Sequence, residues 1–280
     1  GVEKDIQKAV ALFTLAATKE NSFAAFALGK LYLAGDAALP RDPAAALKWL
    51  TYAAELGNQF AQYRLGKLLL KGDDGIPKDV ITAIRWLTAA AKQENGYAEY
   101  ALALVYLTGE DAPKDSVKAL SLLKRSAARC NQFAQYRLGK LLLQGEDAPK
   151  DVKAAIRWLT AAAEQGNQYA QYALGKLYLL GKEVPKDRSS AIKWFQLAAD
   201  QGNEYAQYFL KHMDDRLGQP PVAAVISLFH HLANIFQEQN QPPPSGGVRV
   251  AVDRKLLRKI KAKKIAQGHK ADDHEPEMKL

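Results

Sequence analysis

The sequence predicts an all-α solenoid of six helix-turn-helix units, and three observations predict it. One motif recurs every 36 or 37 residues, each copy carries two apolar stripes of helical period, and a single such hairpin cannot cover its own apolar faces. Aspartates set the register: Asp5, Asp42, Asp79, Asp115, Asp151 and Asp187. Two residues before each stands Glu3, then Pro40, Pro77, Pro113, Pro149 and Pro185. The same interval relates Gly35, Gly72, Gly109, Gly145 and Gly181, and also Gly29, Gly66, Ala103, Gly139 and Gly175. The copies fill residues 1–216.

Each element has a local cause. In the copy at 151–166, the Asp151 carboxylate can accept from the free amides of a first helical turn. Val152, Ala155, Ile156, Leu159, Ala162 and Ala163 then follow as one stripe of 3.6-residue period. Gly166-Asn167 ends that helix. The other helix type, AQYRLGKLLL at 134–143, puts Ala134, Leu138, Leu141 and Leu142 on one face, with Gly139 where a neighbouring backbone approaches. It stops near Gly145, and the Pro149-Lys150-Asp151 turn restarts the cycle.

Composition excludes several classes. Of the 280 residues, 48% are apolar and 25% charged, which is ordinary for a folded chain and rules out wholesale disorder. A charge or loop residue interrupts every apolar run, so no membrane-spanning helix is expected. With Cys130 as the only cysteine, neither an intrachain disulfide nor a thiolate metal cage can form, and a reducing cytosol is the expected compartment. The start, Gly1-Val2-Glu3-Lys4-Asp5, has no initiator Met and aligns with Val184-Pro185-Lys186-Asp187, so the chain is expected to begin at a cut end inside an inter-repeat turn.

Within the repeats, the AQY-x-LGK-LYL-x-G run, the Pro-Lys-Asp turn, the AI-x-W helix and the AAA-E-QGN ending resemble the Sel-one-like repeat, a relative of the tetratricopeptide repeat. The resemblance covers residues 1–216. It implies a superhelical adaptor for other proteins, without catalysis of its own. Trp49, Trp86, Trp158 and Trp194 share one repeat position with Leu12 and Leu122. Because leucine substitutes there, the tryptophans read as packing residues.

In that family's register the AQY helices come first and line a concave face. The resemblance thereby nominates Phe60, Tyr63, Lys67 and Lys71, then Tyr97, Tyr100 and Leu104. Phe133, Tyr136 and Lys140 follow, then Tyr169, Tyr172 and Lys176. Rings offer apolar contact area and lysines can pair with carboxylates, which suits a protein or peptide partner. Packing between helices is the competing role for the rings.

The C-terminal stretch differs in kind. Residues 1–216 carry 29 Lys/Arg against 24 Asp/Glu, whereas 249–264 carry eight basic residues and one acid, Asp253. Val222, Val225, Ile226, Phe229, Leu232, Ala233 and Phe236 trace a stripe expected to form a capping helix within 217–240. Residues 241–252, with Pro242-Pro243-Pro244 and Gly246-Gly247, read as a linker. Within 253–280, Asp253 can cap a helix bearing Arg254, Lys255, Arg258, Lys259, Lys261, Lys263 and Lys264, a charge density that attracts phosphate backbones or an acidic protein surface.

SLFHHLANIFQEQ at 227–239, PPPSGG at 242–247 and DRKLLRKIKAKKIAQGHKADDHE at 253–275 resemble the end of relaxases from conjugative and mobilisable elements. In those proteins a DNA-nicking domain precedes a Sel-one-like array. The nickase would then lie upstream of Gly1.

No catalytic, cofactor-binding or metal-ligating residue is expected. Adjacent histidines, His230-His231, point about 100° apart on a helix and share a metal poorly. His269, Asp272, Asp273, His274 and Glu275 read as a solvated tail. Cys130 stands in the slot of Gly57, Gly166 and Gly202, as a small turn residue. Asp73-Asp74, Glu110-Asp111 and Glu146-Asp147 read as solvated turn acids.

The expected protein is therefore an all-α right-handed α-solenoid of six repeats with a capping helix and a basic tail. Its expected function is a non-enzymatic interaction scaffold in the bacterial cytoplasm, the C-terminal region of a relaxase, with DNA as a possible partner of the tail. The alternative is a free-standing adaptor in signalling or stress responses without a DNA role.

Overall fold

A computed structural model describes residues 5–72 and 75–212, all within one unit, Gly1–Arg216. The expected capping helix, linker and basic segment lie outside the described residues. The described residues form twelve helices and no strand: α1 (Ile6–Ala17), α2 (Ser22–Ala34), α3 (Pro43–Glu55), α4 (Gln59–Lys71), α5 (Val80–Lys92) and α6 (Gly96–Thr108). They continue with α7 (Ser116–Ala128), α8 (Gln132–Gln144), α9 (Val152–Glu164), α10 (Gln168–Leu180), α11 (Arg188–Asp200) and α12 (Glu204–His212). Each helix packs chiefly on its neighbours in sequence, the pattern of an all-α solenoid.

Both kinds of helix start are capped by side chains. Every marker aspartate accepts from the amide three residues on, as Asp151 does from Ala154 at 2.9 Å and Asp42 from Ala45 at 2.9 Å. Asn21, Asn58, Asn95, Asn131, Asn167 and Asn203 do the same for the even-numbered helices. Asn167 thus opens α10, where the sequence reading had it closing the preceding helix; the three-residue connection 165–167 leaves one residue to serve both ends. In the slot of Gly57, Gly166 and Gly202, Cys130 adopts a left-handed φ of 59°, and Glu94 and Glu20 do so at 64° and 61°. The slot is a turn position that tolerates strain.

The core is a row of side chains seated over glycines. Leu50, Leu87, Leu159 and Phe195 are completely buried, and each lies against Gly29, Gly66, Gly139 or Gly175 of the helix before it. A Cβ on Gly139 would stand 2.7 Å from Leu159 Cγ and 3.1 Å from the Ala155 carbonyl oxygen. The close approach is therefore of a side chain as much as of a backbone. The tryptophans one residue earlier are half-buried and pack on the edge of this core, the packing role their exchange with leucine suggests.

The loop acids carry more than solvent. Lys78 pairs with Asp111 of the next repeat at 2.5 Å, Lys114 with Asp147 at 2.8 Å, and Lys150 with Glu183 at 2.7 Å. Ser116 adds a 2.7 Å hydrogen bond to Asp147. So Asp111 and Asp147 tie one Pro-Lys-Asp turn to the following loop, a correction to their reading as free turn residues. Contacts spanning 33 residues leave no local pattern in sequence.

Candidate functional site

The even-numbered helices put two aromatic residues in each repeat at i and i+3, on one side of the helix. Between neighbours the rings interlock. Phe26 meets Phe60 at 6.4 Å between centroids, Tyr63 meets Tyr97 at 5.9 Å, and Tyr100 meets Phe133 at 6.3 Å. Tyr136 meets Tyr169 at 6.1 Å, and Tyr172 meets Tyr205 at 6.1 Å. One aromatic row therefore runs from α2 to α12.

The two ring positions have different environments. The first, Phe60, Tyr97, Phe133 and Tyr169, is exposed, from 54% at Tyr97 to 42% at Tyr169. The second is covered: Tyr63, Tyr100 and Tyr136 are half-buried and Tyr172 is buried against Phe195 and Phe209. Burial raises the hydroxyl pKa of Tyr63 and Tyr100, and pushes that of Tyr136 up to about 12. Packing and exposure thus divide between the two rings of each helix.

The cations divide as well. Lys67 and Lys71 are exposed on α4. Lys140 and Lys176 are half-buried, and desolvation lowers the pKa of both. Arg137 and Lys182 add positive charge against Lys140 and Lys176 respectively. Leu104 fills the corresponding place on α6. The sequence reading omitted Arg137, next to Tyr136, although it stood in plain view beside the nominated row. The nominated tail cations, Arg254 to Lys264, lie outside the described residues.

A second polar seam runs along the helix starts. Gln62, Gln135 and Gln171 are buried; each donates to a carbonyl eight residues earlier and accepts from Gln93, Gln165 or Gln201 of the next helix pair at 2.9, 2.7 and 2.8 Å. In α6 the slot holds Glu99, and the partner slot holds Arg129. Aligning the six copies column by column would have revealed this paired exchange.

Among the described residues no group of three or more His, Cys, Asp or Glu could hold a metal ion, and no helix is long and apolar enough to cross a membrane.

Comparison with known proteins accords with this architecture. The Sel1 repeat profile matches residues 1–21, 22–58, 59–95, 96–129, 132–167 and 168–203. A Sel1 repeat protein from Oxalobacter formigenes superposes with a TM-score of 0.69 at 33% identity, covering 76% of this chain and 61% of that one. The antigen c5321 of uropathogenic Escherichia coli strains, which displays an SLR fold, superposes with a TM-score of 0.69 at 27% identity, covering 99% of this chain and 55% of that one. The chain thus spans less than two thirds of either relative's length. No curated protein matches it. Sel1 repeat proteins are generally protein-interaction scaffolds, and their fold is typically non-enzymatic. With its repeats matched from 1 to 203 and its helix pairs stacked in the same order, this chain belongs to the Sel1 repeat family.

Proposed function

We propose that the chain is a non-enzymatic scaffold whose partner, a protein segment, docks along the aromatic row of the even-numbered helices. One observation carries this: an exposed ring recurs at the same position of α4, α6, α8 and α10, although every one of those positions faces water. Fixed rings give contact area at small entropic cost, since a tyrosine or phenylalanine has only two side-chain torsions to lose. The row also stands beside Lys67, Lys140 and Lys176, which add directional polar contacts.

The finer setting is the C-terminal part of a bacterial relaxase in the cytoplasm, with residues 253–264 contacting DNA. Its support is the likeness of 227–275 to the ends of such proteins and the eight cations between 249 and 264.

Pull-down from the encoding bacterium tests the docking face. The double variant Tyr97→Ser with Phe133→Ser should lose partners retained by the parent chain, while its melting temperature falls only slightly, because each ring pair contributes about 0.5–1.5 kcal/mol. An unchanged partner list would remove the row from the docking surface. For the tail, deleting 249–280 should abolish most DNA binding in low-salt fluorescence anisotropy; equal binding by both chains would contradict the assignment.

A further inference from the structure

Of the six odd-numbered helices described, five pack on the even-numbered helix before them; α1 is the exception. Phe13 occupies the repeat position of Leu50, Leu87, Leu123, Leu159 and Phe195, which have no solvent exposure, yet it is itself 36% exposed. Ala9 and Ala16 stand one turn either side of it on the same face. Their counterparts beside Leu50, Ala46 and Ala53, are completely buried, as are Ala155 and Ala162 beside Leu159, whereas Ala9 and Ala16 are only half-buried. α2 shows the same lack. Its first ring, Phe23, is 66% exposed, more than Phe60, Tyr97, Phe133 or Tyr169, each of which meets the second ring of the even-numbered helix before it. Both deficits fall on the contacts that an even-numbered helix ahead of α1 would make.

The five interior contacts define what fits there. Each even-numbered helix places glycine, or Ala103 on α6, 20 or 21 residues ahead of the buried side chain of the next helix, and an aromatic residue three positions before that small one. A Cβ on Gly175 would stand 2.7 Å from the ring of Phe195, which is a phenylalanine like Phe13. So close a seat admits little beyond glycine or alanine. A second copy of this chain does not offer it end to end. Gly29, Gly66, Gly139 and Gly175 already lie under their own leucines or phenylalanine, and α12 carries Lys211 in the glycine slot. The connecting turn, by contrast, is present in this chain. Val2-Glu3-Lys4-Asp5 aligns with Val184-Pro185-Lys186-Asp187, which joins α10 to α11. The repeat matched at 1–21 likewise holds α1 alone, whereas each later one pairs an even-numbered helix with the odd-numbered helix after it.

We propose that Ala9, Phe13 and Ala16 receive one further even-type helix of the same polypeptide, encoded immediately before residue 1. By the interior spacing, that helix carries Gly or Ala eight or nine residues before Gly1, seated under Phe13, and an aromatic residue three positions earlier, packed on Phe23. It continues the interface that already joins α2 to α3 and α10 to α11, so the first described helix gains the neighbour that nearest-neighbour stacking supplies to every other odd-numbered helix.

Two measurements test this: reading the coding sequence upstream of residue 1, and comparing the 280-residue chain with one extended by the residues encoded there. An extension of about thirty residues suffices for one helix and its cap. It should raise the melting temperature by about 5 °C, and slow hydrogen exchange of the α1 amides on the order of tenfold. Replacing the small residue of the extension by leucine should return both readouts to those of the 280-residue chain. The circular dichroism of the remaining repeats should persist in that variant, since stacking is nearest-neighbour. A large or charged residue at both predicted positions would overturn the proposal, as would an extension that changes neither readout. A 280-residue chain that sediments as a dimer at micromolar concentration, and as a monomer with Phe13→Ser, would overturn it too and assign the face to a second copy.

Discussion

Glu99, with no solvent exposure, lies 2.7 Å from Arg125 of the following helix, and Arg125 also donates to the Ala91 carbonyl at 3.3 Å. In four of the other repeats that carbonyl's counterpart also receives a glutamine: Gln62 donates to Ala54, Gln135 to Ala127, Gln171 to Ala163 and Gln207 to Ala199, while α2 holds Ala25 in the slot. A glutamate cannot donate, so with Glu99 in this slot the Ala91 carbonyl keeps the Glu94 amide at 3.1 Å but loses the second, side-chain donor. Arg125 supplies the missing donor as well as the counter-charge, and Arg129 replaces the glutamine that elsewhere completes the pair. One changed residue is thus matched by two on the next helix pair.

A double-mutant cycle should show this dependence. Removing one partner of a buried ion pair costs about 3–5 kcal/mol; because Arg129 remains near, Arg125→Ala should cost less, about 2 kcal/mol. Glu99→Gln with Arg129→Gln recreates the pairing of Gln62 with Gln93, and should be more stable than the sum of the two single changes by about 0.5–3 kcal/mol. Additive denaturation free energies would show that the seam is not coupled.

Repeat deletion separates stacking from this seam. Removing 96–131 takes out Glu99, Arg125 and Arg129 together and joins Asn95 to Gln132. Gln135 then stands eight residues after Ala91, as the consensus requires. Removing 115–150 deletes an equally long unit but leaves Glu99 buried without its arginines. Both shorter chains should fold, since stacking is nearest-neighbour, and the first should melt at the higher temperature. Equal melting would mean that Glu99 is indifferent to its cations, and loss of cooperative unfolding in both would refute the solenoid.

Acid should weaken the fold through its caps and ties. Asp187 is held below the usual carboxylate range first by Ser190, whose hydroxyl donates at 2.6 Å, Asp79 by the Thr82 amide, and Asp147 by Lys114 and then Ser116. Their folded pKa values lie below the unfolded ones. Their contribution is therefore complete above about pH 4 and is lost as pH falls through the folded values. Melting temperature should be flat between pH 5 and 8 on this account and fall below about pH 4, with Asp187→Asn reducing the acid-dependent part. Tyr136 acts at the other limit. Raised to about 12, it contributes stability present below about pH 10 and lost as pH rises through its folded value.

Much of the fold was legible because its causes are local and periodic. Asp151 announces a helix start, Gly145 a stop, and Leu159 its place in a buried apolar stripe, each within one or two turns of chain. The asparagine caps were missed because the same short turn that ends one helix begins the next. Lys114 to Asp147 and Glu99 to Arg129 were missed because such contacts join separate copies and appear only when the copies are compared by column. At the candidate site, the rings could be named but not sorted into exposed and covered positions, since Tyr97 and Tyr100 differ only in which neighbour lies over them. Arg137 and Arg64 make the limit plain: identical sequence, different burial.

The most direct test of the docking face is site-specific cross-linking of the chain to the partner it retains in the pull-down. Val117 and Ile81, 83% and 85% exposed on the odd-numbered helices, provide control positions outside the aromatic row. With p-benzoylphenylalanine at Phe133, irradiation should join the chain to that partner, and with the same group at Val117 or Ile81 it should not. Cross-links from Val117 or Ile81 and none from Phe133 would contradict the account.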